Sequence, residues 1–448
     1  MNTFNELQFY YLNQINAGTF LINNTSKYQE VFILKKKVTL FICLLLITAM
    51  ILTGCSSSIN LMEGIKSNNE ISVSETMDEK LNQSILNFSW NMFRESSSNE
   101  GNLMISPPSV YFALAMAANG ADGETKTEMM KALDAENIPM DDLNEGLNYW
   151  MNSITKNRTA KFSIANSIWY KEGFKPSKDF LQANADYYSA DIHSLDFSKK
   201  SAPNTINDWV KNATNSKIDK IVEKINDDLV MYMINAIYFK GDWKYEFPAN
   251  KTHKSTFNSP SGEIETDFMN KIGDMDYLEF NGATGVILPY LDERFAFVGL
   301  LPKEGDTPRD LMNNLTAMDL LNLIKNKDVK NIELSIPKFE SSYEDSLLDE
   351  LSAMGMKLPF DPNNADFSMM NESHAKDLSI SEVKHKTYIK VDEKGTEAAA
   401  VTSIGVGATS MPIELPRLTF DRPFIYGIVD VTTGIPLFIG IMENPAIK

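Results

Sequence analysis

Cysteine is nearly absent: the 448-residue chain has two, Cys43 and Cys55, both before residue 56. The rest of the chain can therefore hold no disulfide framework and no thiolate metal centre. Histidine is almost as scarce. His193, His253, His374 and His385 are scattered without metal-ligand spacing, and lone histidines read as exposed or hydrogen-bonded structural residues. No metal and no cofactor is expected. Basic charge is also short, with 42 Lys and Arg against 60 Asp and Glu and a formal net charge of -18. A body this acidic repels phosphate backbones, which argues against nucleic acid as a partner. There is no glycine-rich phosphate loop, no His-Glu-x-x-His and no Gly-x-Ser-x-Gly. Ser335-Ile336-Pro337-Lys338 matches Ser-x-x-Lys, but that nucleophile motif belongs at a helix start, whereas this stretch alternates like a strand and contains proline.

The N-terminal region reads as export machinery. Lys35, Lys36 and Lys37 precede a 16-residue apolar run over residues 38–53. The run is short of the roughly 20 residues a spanning helix needs, and its basic flank suits a signal-peptide core. It ends in Leu52-Thr53-Gly54-Cys55, which resembles the lipobox of bacterial lipoproteins. That resemblance implies acylation of Cys55 and cleavage before it. The mature protein would then be secreted and held by lipid on the outer side of the bacterial cell membrane. Residues 1–55 are thus expected to be an N-terminal extension plus lipoprotein signal peptide. Residues 56–75, which begin Ser56-Ser57-Ser58 directly after Cys55, are expected to be a polar tether.

Residues 76–448 show no linker and no fixed-period repeat and read as a single domain. Leu81, Ile85, Phe88 and Met92 step by three or four residues, as an amphipathic helix requires. Residues 109–118 and the stretch from Asn207 to Val210 onward also look helical. Later segments look extended. Ile332, Leu334 and Ile336 alternate with Glu333 and Ser335, while residues 231–239 form a nearly unbroken apolar run suited to a strand covered on both faces. Residues 424–431 and 436–442 flank Thr432-Thr433-Gly434 as a hairpin would. Helices first and strands later predict an α+β fold.

One segment is chemically odd. From Glu393 to Pro412 the chain is built almost entirely from small, β-compatible or glycine side chains, with hardly a large anchor. Structureless loops of that length are uncommon unless functional or disordered. Small side chains at alternate positions would also let the segment slot between existing strands.

At this point the chain resembles the serpins, the serine protease inhibitors, from about Leu81 to Pro445. EKGTEAAAVT is similar to the hinge of an inhibitory reactive-centre loop, and LTFDRPFIYGI to the family's C-terminal signature. NLMISPPSVYFALAMAANGADGETKTEM, INDWVKNATNSKI and NAIYFKGDW resemble, in order, an early helical region, the helix across the main sheet and the central strand. The resemblance implies a metastable fold of three β-sheets and about nine helices with an exposed reactive-centre loop. It implies a monomeric suicide inhibitor and no enzyme. A serine protease cleaves the loop, and the acyl-enzyme is trapped when the hinge side inserts into the main sheet as a new strand. About 15 residues at ~3.3 Å each would span ~50 Å, enough to carry the protease across a domain of this size.

Residue by residue, the resemblance assigns Glu393, Gly395, Thr396, Glu397, Ala398, Ala399, Ala400 and Thr402 to the hinge. Thr396, Ala398, Ala400 and Thr402 are small and uncharged on one alternation face, Glu397 falls on the other, and Gly395 would start the turn. Counting from Glu393 puts the scissile bond at Thr409–Ser410. Ala408–Thr409 and Met411–Pro412 are the alternatives. A threonine specificity residue suits the shallow pocket of an elastase-like or subtilisin-like protease, and a cysteine protease is a further candidate. Ser106, Ser109, Asn235 and His385 match the region where the main sheet parts. Trp243, Lys338 and Glu393 match a cluster at its top. The acidic stretch with Asp134, Glu136, Asp141, Asp142 and Glu145 stands where heparin-activated relatives carry basic residues, so no heparin binding is expected.

Overall fold

The computed structural model describes residues 58–67, 77–98, 100–155, 159–225, 229–396 and 415–447. All of them fall in one compact unit, Ser57–Lys448. The first helix, α1 (Glu79–Ser96), begins where the Asp78 carboxylate accepts from the Lys80 N–H at 2.8 Å. Glu79 in its first turn and Arg94 in its last complement the helix dipole. It buries Leu81, Ile85, Phe88 and Met92, the stripe expected from their spacing.

Eight further helices occur among the described residues: α2 (Pro107–Ala118), α3 (Gly123–Ala132), α4 (Met140–Thr155), α5 (Lys178–Tyr187), α6 (Ala202–Ala213), α7 (Pro308–Asn313), α8 (Ala317–Lys325) and α9 (Leu348–Ala353). Every residue of α2 is buried, so its apolar sequence makes it a core helix with no polar face.

The strands are β1 (Ile59–Asn60), β2 (Leu103–Ile105), β3 (Lys161–Lys171), β4 (Asp191–Leu195), β5 (Met231–Asp242), β6 (His253–Ser259), β7 (Gly262–Phe280), β8 (Ala283–Pro289), β9 (Phe295–Leu301), β10 (Asp328–Pro337), β11 (Phe339–Ser346), β12 (Glu382–Asp392), β13 (Gly395–Thr396), β14 (Arg417–Thr419), β15 (Phe424–Asp430) and β16 (Pro436–Met442). Among the described residues seven make the main sheet, in the order β1-β4-β3-β5-β13-β12-β11. β1 pairs with β4, and Leu61, Met62 and Ile65 pack on the core, so this part of the stretch expected to be a polar tether belongs to the folded domain. A nine-stranded sheet runs β14-β10-β7-β8-β9-β15-β16-β2, with β6 on β7. The resemblance implies three sheets. Hydrogen bonding continues through the 19-residue strand β7, so two of them are joined as one sheet here.

β5 explains why the main sheet is covered on both sides. Met233, Ile237 and Phe239 join the large core shared with α1 and α2. Tyr232, Ile234 and Ala236 point the other way, into a second core with Ile206 and Val210 of α6 and Ile218, Ile221 and Val222 after it. One strand alternating between two apolar layers gives the continuous hydrophobic run seen in sequence. β10 keeps Ile332, Leu334 and Ile336 buried. β15 and β16 form the antiparallel hairpin expected. Ser335 lies within β10, so Ser335-Ile336-Pro337-Lys338 has no helix start to activate a nucleophile.

Candidate functional site: a slot in the main sheet

β5 and β12 are neighbours for only part of their length. They pair in parallel from Tyr232–Glu382 to Ala236–Lys386. Above that, among the described residues, no pairing joins residues 237–240 to residues 387–390. At the top, β13 sits between them, antiparallel to both: Thr396 opposes Gly241 on one side and Val391 on the other. Among the described residues, the main sheet is therefore closed at its lower end, plugged at its upper end by two residues, and unpaired between.

His385 closes the lower end. It stands opposite Asn235 across the β5–β12 pair and is fully buried. Its Nε2 accepts the Ser106 N–H at 3.0 Å. That assigns the ring proton to Nδ1, which donates to Asn235 Oδ1 at 2.8 Å. Asn235 Nδ2 donates in turn to Asn166 Oδ1 at 2.5 Å, and Asn166 opposes Asn235 on β3. Beside them Thr387 Oγ1 donates to the Met104 carbonyl at 2.8 Å. The structure thus brings Ser106, Asn235 and His385 into one chain of hydrogen bonds. Ser109 is buried on α2, and its Oγ, like that of Ser106, has no hydrogen-bond partner among the described residues.

Burial pushes the His385 imidazole down to about 3, so it is neutral in the native protein. The unfolded state takes up a proton near the ordinary value of about 6.5. Between those two values the unfolded state binds more protons, so stability rises with pH. Below pH 6.5, wild type is expected to lose about 1.4 kcal/mol per pH unit through this group. His385→Gln, which cannot titrate, should show that much less slope between pH 6 and 4.5 when denaturant midpoints are compared. Equal slopes would mean that His385 is not held neutral.

The upper end is an aromatic and ionic clasp. Lys338 Nζ lies 2.9 Å from Glu393 Oε2, and Thr252 Oγ1 donates to Glu393 Oε1 at 2.9 Å. Burial opposes the charge on Glu393, but the hydrogen bonds from Lys338 and Thr252 outweigh it and hold the carboxyl below its ordinary value. Trp243 Nε1 donates to the Asp392 carbonyl at 2.9 Å, and the Trp243 and Phe247 N–H groups donate to the carbonyls of Lys394 and Glu393. The Trp243 ring stacks on Tyr290 at 4.6 Å, and Tyr290 Oη shares a 2.5 Å hydrogen bond with Thr396 Oγ1.

Two expectations change here. Gly395 is required for close approach and not for a turn: a Cβ there would lie 2.1 Å from the Gly241 carbonyl oxygen. Thr396, expected on an exposed loop, is fully buried because β13 already occupies the head of the slot. Glu397, Ala398, Ala399, Ala400, Thr402, Thr409 and Ser410, together with Cys55, lie outside the described residues. Asn166, Tyr290 and Thr252 were missed in sequence. Asn166 alone left a signal, a polar residue inside an apolar strand-like stretch.

The family model for serpins (serine protease inhibitors) matches residues 83–445. The chain belongs to the serpin family. It is 40% identical to Tengpin, a thermophilic serpin, whose native-state crystal structure superposes with a TM-score of 0.81 over 87% of this chain and all of that one. Alpha-1-antiproteinase of Rattus norvegicus is 28% identical over 82% of this chain and 89% of its own length. Thyroxine-binding globulin, crystallised with thyroxine, is 26% identical with a TM-score of 0.74, covering 82% of this chain and 98% of its own. The serpin fold therefore serves both an antiproteinase and a thyroxine-binding protein.

Proposed function

We propose that this serpin is an irreversible inhibitor of serine endopeptidases that traps its target by strand insertion. One observation carries the reading: β13 is already seated between β5 and β12, and beneath it, among the described residues, residues 237–240 and 387–390 of these two strands are not paired with each other. The side chains that follow on the Thr396 face, Ala398, Ala400 and Thr402, are small and uncharged. The unpartnered hydroxyls of Ser106 and Ser109 near the lower closure also support it, since an incoming strand could offer them acceptors.

The chemistry follows from the acyl-transfer cycle of the target. The protease serine attacks the Thr409 carbonyl, forming an ester and releasing the amine of Ser410. Residues after Thr396 then extend β13 downward, gaining main-chain hydrogen bonds on both edges. The acylated protease is carried away from its entry point and its deacylation stalls. A shallow-pocketed target, elastase-like or subtilisin-like, or a cysteine protease, fits a threonine at the cut. Incubation with elastase should give an SDS-resistant complex and a released fragment beginning Ser410-Met411-Pro412. A different fragment start relocates the bond. Failure to form any covalent complex across a panel of such proteases would favour a carrier role like that named for thyroxine-binding globulin.

The reading extends to location: a lipid on Cys55 would hold the domain on the outer side of a bacterial membrane. Cys55→Ala should abolish acyl labelling and release the protein from the membrane fraction. Unchanged labelling would remove Cys55 as the anchor.

A further inference from the structure

β7 changes partners part-way along one edge. β10 pairs with it continuously from Phe268 to Tyr277. On the opposite edge β6 pairs only as far as Phe268, and β8 begins only at Asp276. Among the described residues no strand covers residues 269–275 on that side. A cleft of about 490 Å³ opens beside this gap, lined among others by Tyr245, Lys271, Met275, Ile287, Leu288 and Val329. Small-molecule sites typically span roughly 300–1,000 Å³. Its rim is unusually apolar for a surface: Tyr245, Ile272 and Val329 are 63%, 55% and 69% exposed.

The charges in the cleft are unevenly satisfied. Asp276 is held by Lys327 at 2.5 Å, and Asp274 accepts from Asn331 at 2.7 Å, while Glu246 is exposed at the mouth. Lys271 has no carboxylate partner among the described residues. Its Nζ sits 4.1 Å from the Phe247 ring centroid and donates to the Tyr245 carbonyl at 3.1 Å. An ammonium has three N–H donors, so capacity remains for an anion. Burial lowers this ammonium to about 8, which leaves it charged at neutral pH. An acceptor that brings negative charge would offset that desolvation.

We propose that this cleft binds a small amphipathic carboxylate, its apolar body against Met275, Ile287 and Leu288 and its carboxylate on Lys271 Nζ. No residue of the hinge lines the cleft, although Phe247, under Lys271 Nζ, also donates its N–H to the Glu393 carbonyl. The test involves no protease, so its outcome is independent of the inhibitor reading.

Octanoate and its neutral analogue 1-octanol serve as probes, titrated calorimetrically into the full-length protein. Octanoate should bind saturably at one site, more tightly than octanol. Lys271→Met, which keeps the apolar stem, should weaken octanoate roughly tenfold or more and leave octanol unchanged, and Lys271→Arg should restore octanoate binding. Val329→Trp, at an exposed position on β10, should block both probes without altering the unfolding midpoint. No saturable binding of octanoate, equal affinity for octanol, or undiminished octanoate binding by Lys271→Met would each overturn the proposal.

Discussion

With Ala400→Arg, the protein is expected to be cleaved by its target protease yet to leave little SDS-resistant complex. Thr396 points into the core, where its hydroxyl meets Tyr290, and successive side chains of a strand alternate faces. Positions 398, 400 and 402 therefore enter the same interior if β13 extends. A guanidinium at 400 would have to be buried there without a partner, at a cost of several kcal/mol. Every ~1.4 kcal/mol added to the insertion barrier slows insertion about tenfold. Deacylation then overtakes insertion and the protease departs with the loop cut. The readout is the number of inhibitor molecules consumed per protease inactivated, which should rise steeply over wild type. Unaltered stoichiometry would show that trapping does not proceed through insertion of this face.

Thr396→Arg should act differently, by damaging the native protein before any protease arrives. The side chain is wholly buried beside Tyr290, which itself stacks on Trp243. An unpaired charge in such a place costs about 3–5 kcal/mol, unless β13 leaves the slot. The unfolding transition in denaturant should fall accordingly, or the hinge should become newly sensitive to added protease. Thr396→Val keeps the shape and removes the hydroxyl. It leaves the buried Tyr290 Oη unpaired, at about 1–3 kcal/mol. Both variants unfolding with wild type would mean that β13 is not seated in solution. The two arginine variants thus separate positions that look alike in sequence, one already in the sheet and one that must enter it.

Much of the fold was legible because it rests on periodicity. The stripe Leu81, Ile85, Phe88 and Met92 fits α1, and the unbroken run at 231–239 fits β5 covered by two cores. The alternation at 332–336 fits β10, and two apolar runs about Thr432-Thr433-Gly434 fit the β15–β16 hairpin. Each is a local record of which faces meet water. The clustering of Ser106, Asn235 and His385, and of Trp243, Lys338 and Glu393, was reached through family motifs and not through any local pattern.

By itself, then, the amino-acid sequence determined the α+β class, the serpin family, the buried strands and the run of small residues after Glu393. The class, the strands and the small-residue run follow from hydrophobic period and side-chain size, which are properties of neighbours along the chain, and the family from its motifs. Only the tertiary structure decided that Thr396 is already in the sheet and that Gly395 must lack a Cβ. It alone decided that Asn166 extends the His385 network and that, among the described residues, β7 leaves an edge open beside Lys271. Those facts depend on hydrogen bonds between residues 69, 106, 150 and 279 positions apart, and on where β6 ends and β8 begins. The burial pattern of a segment is written in its own residues. The partner that satisfies its polar groups is chosen by how distant strands pack.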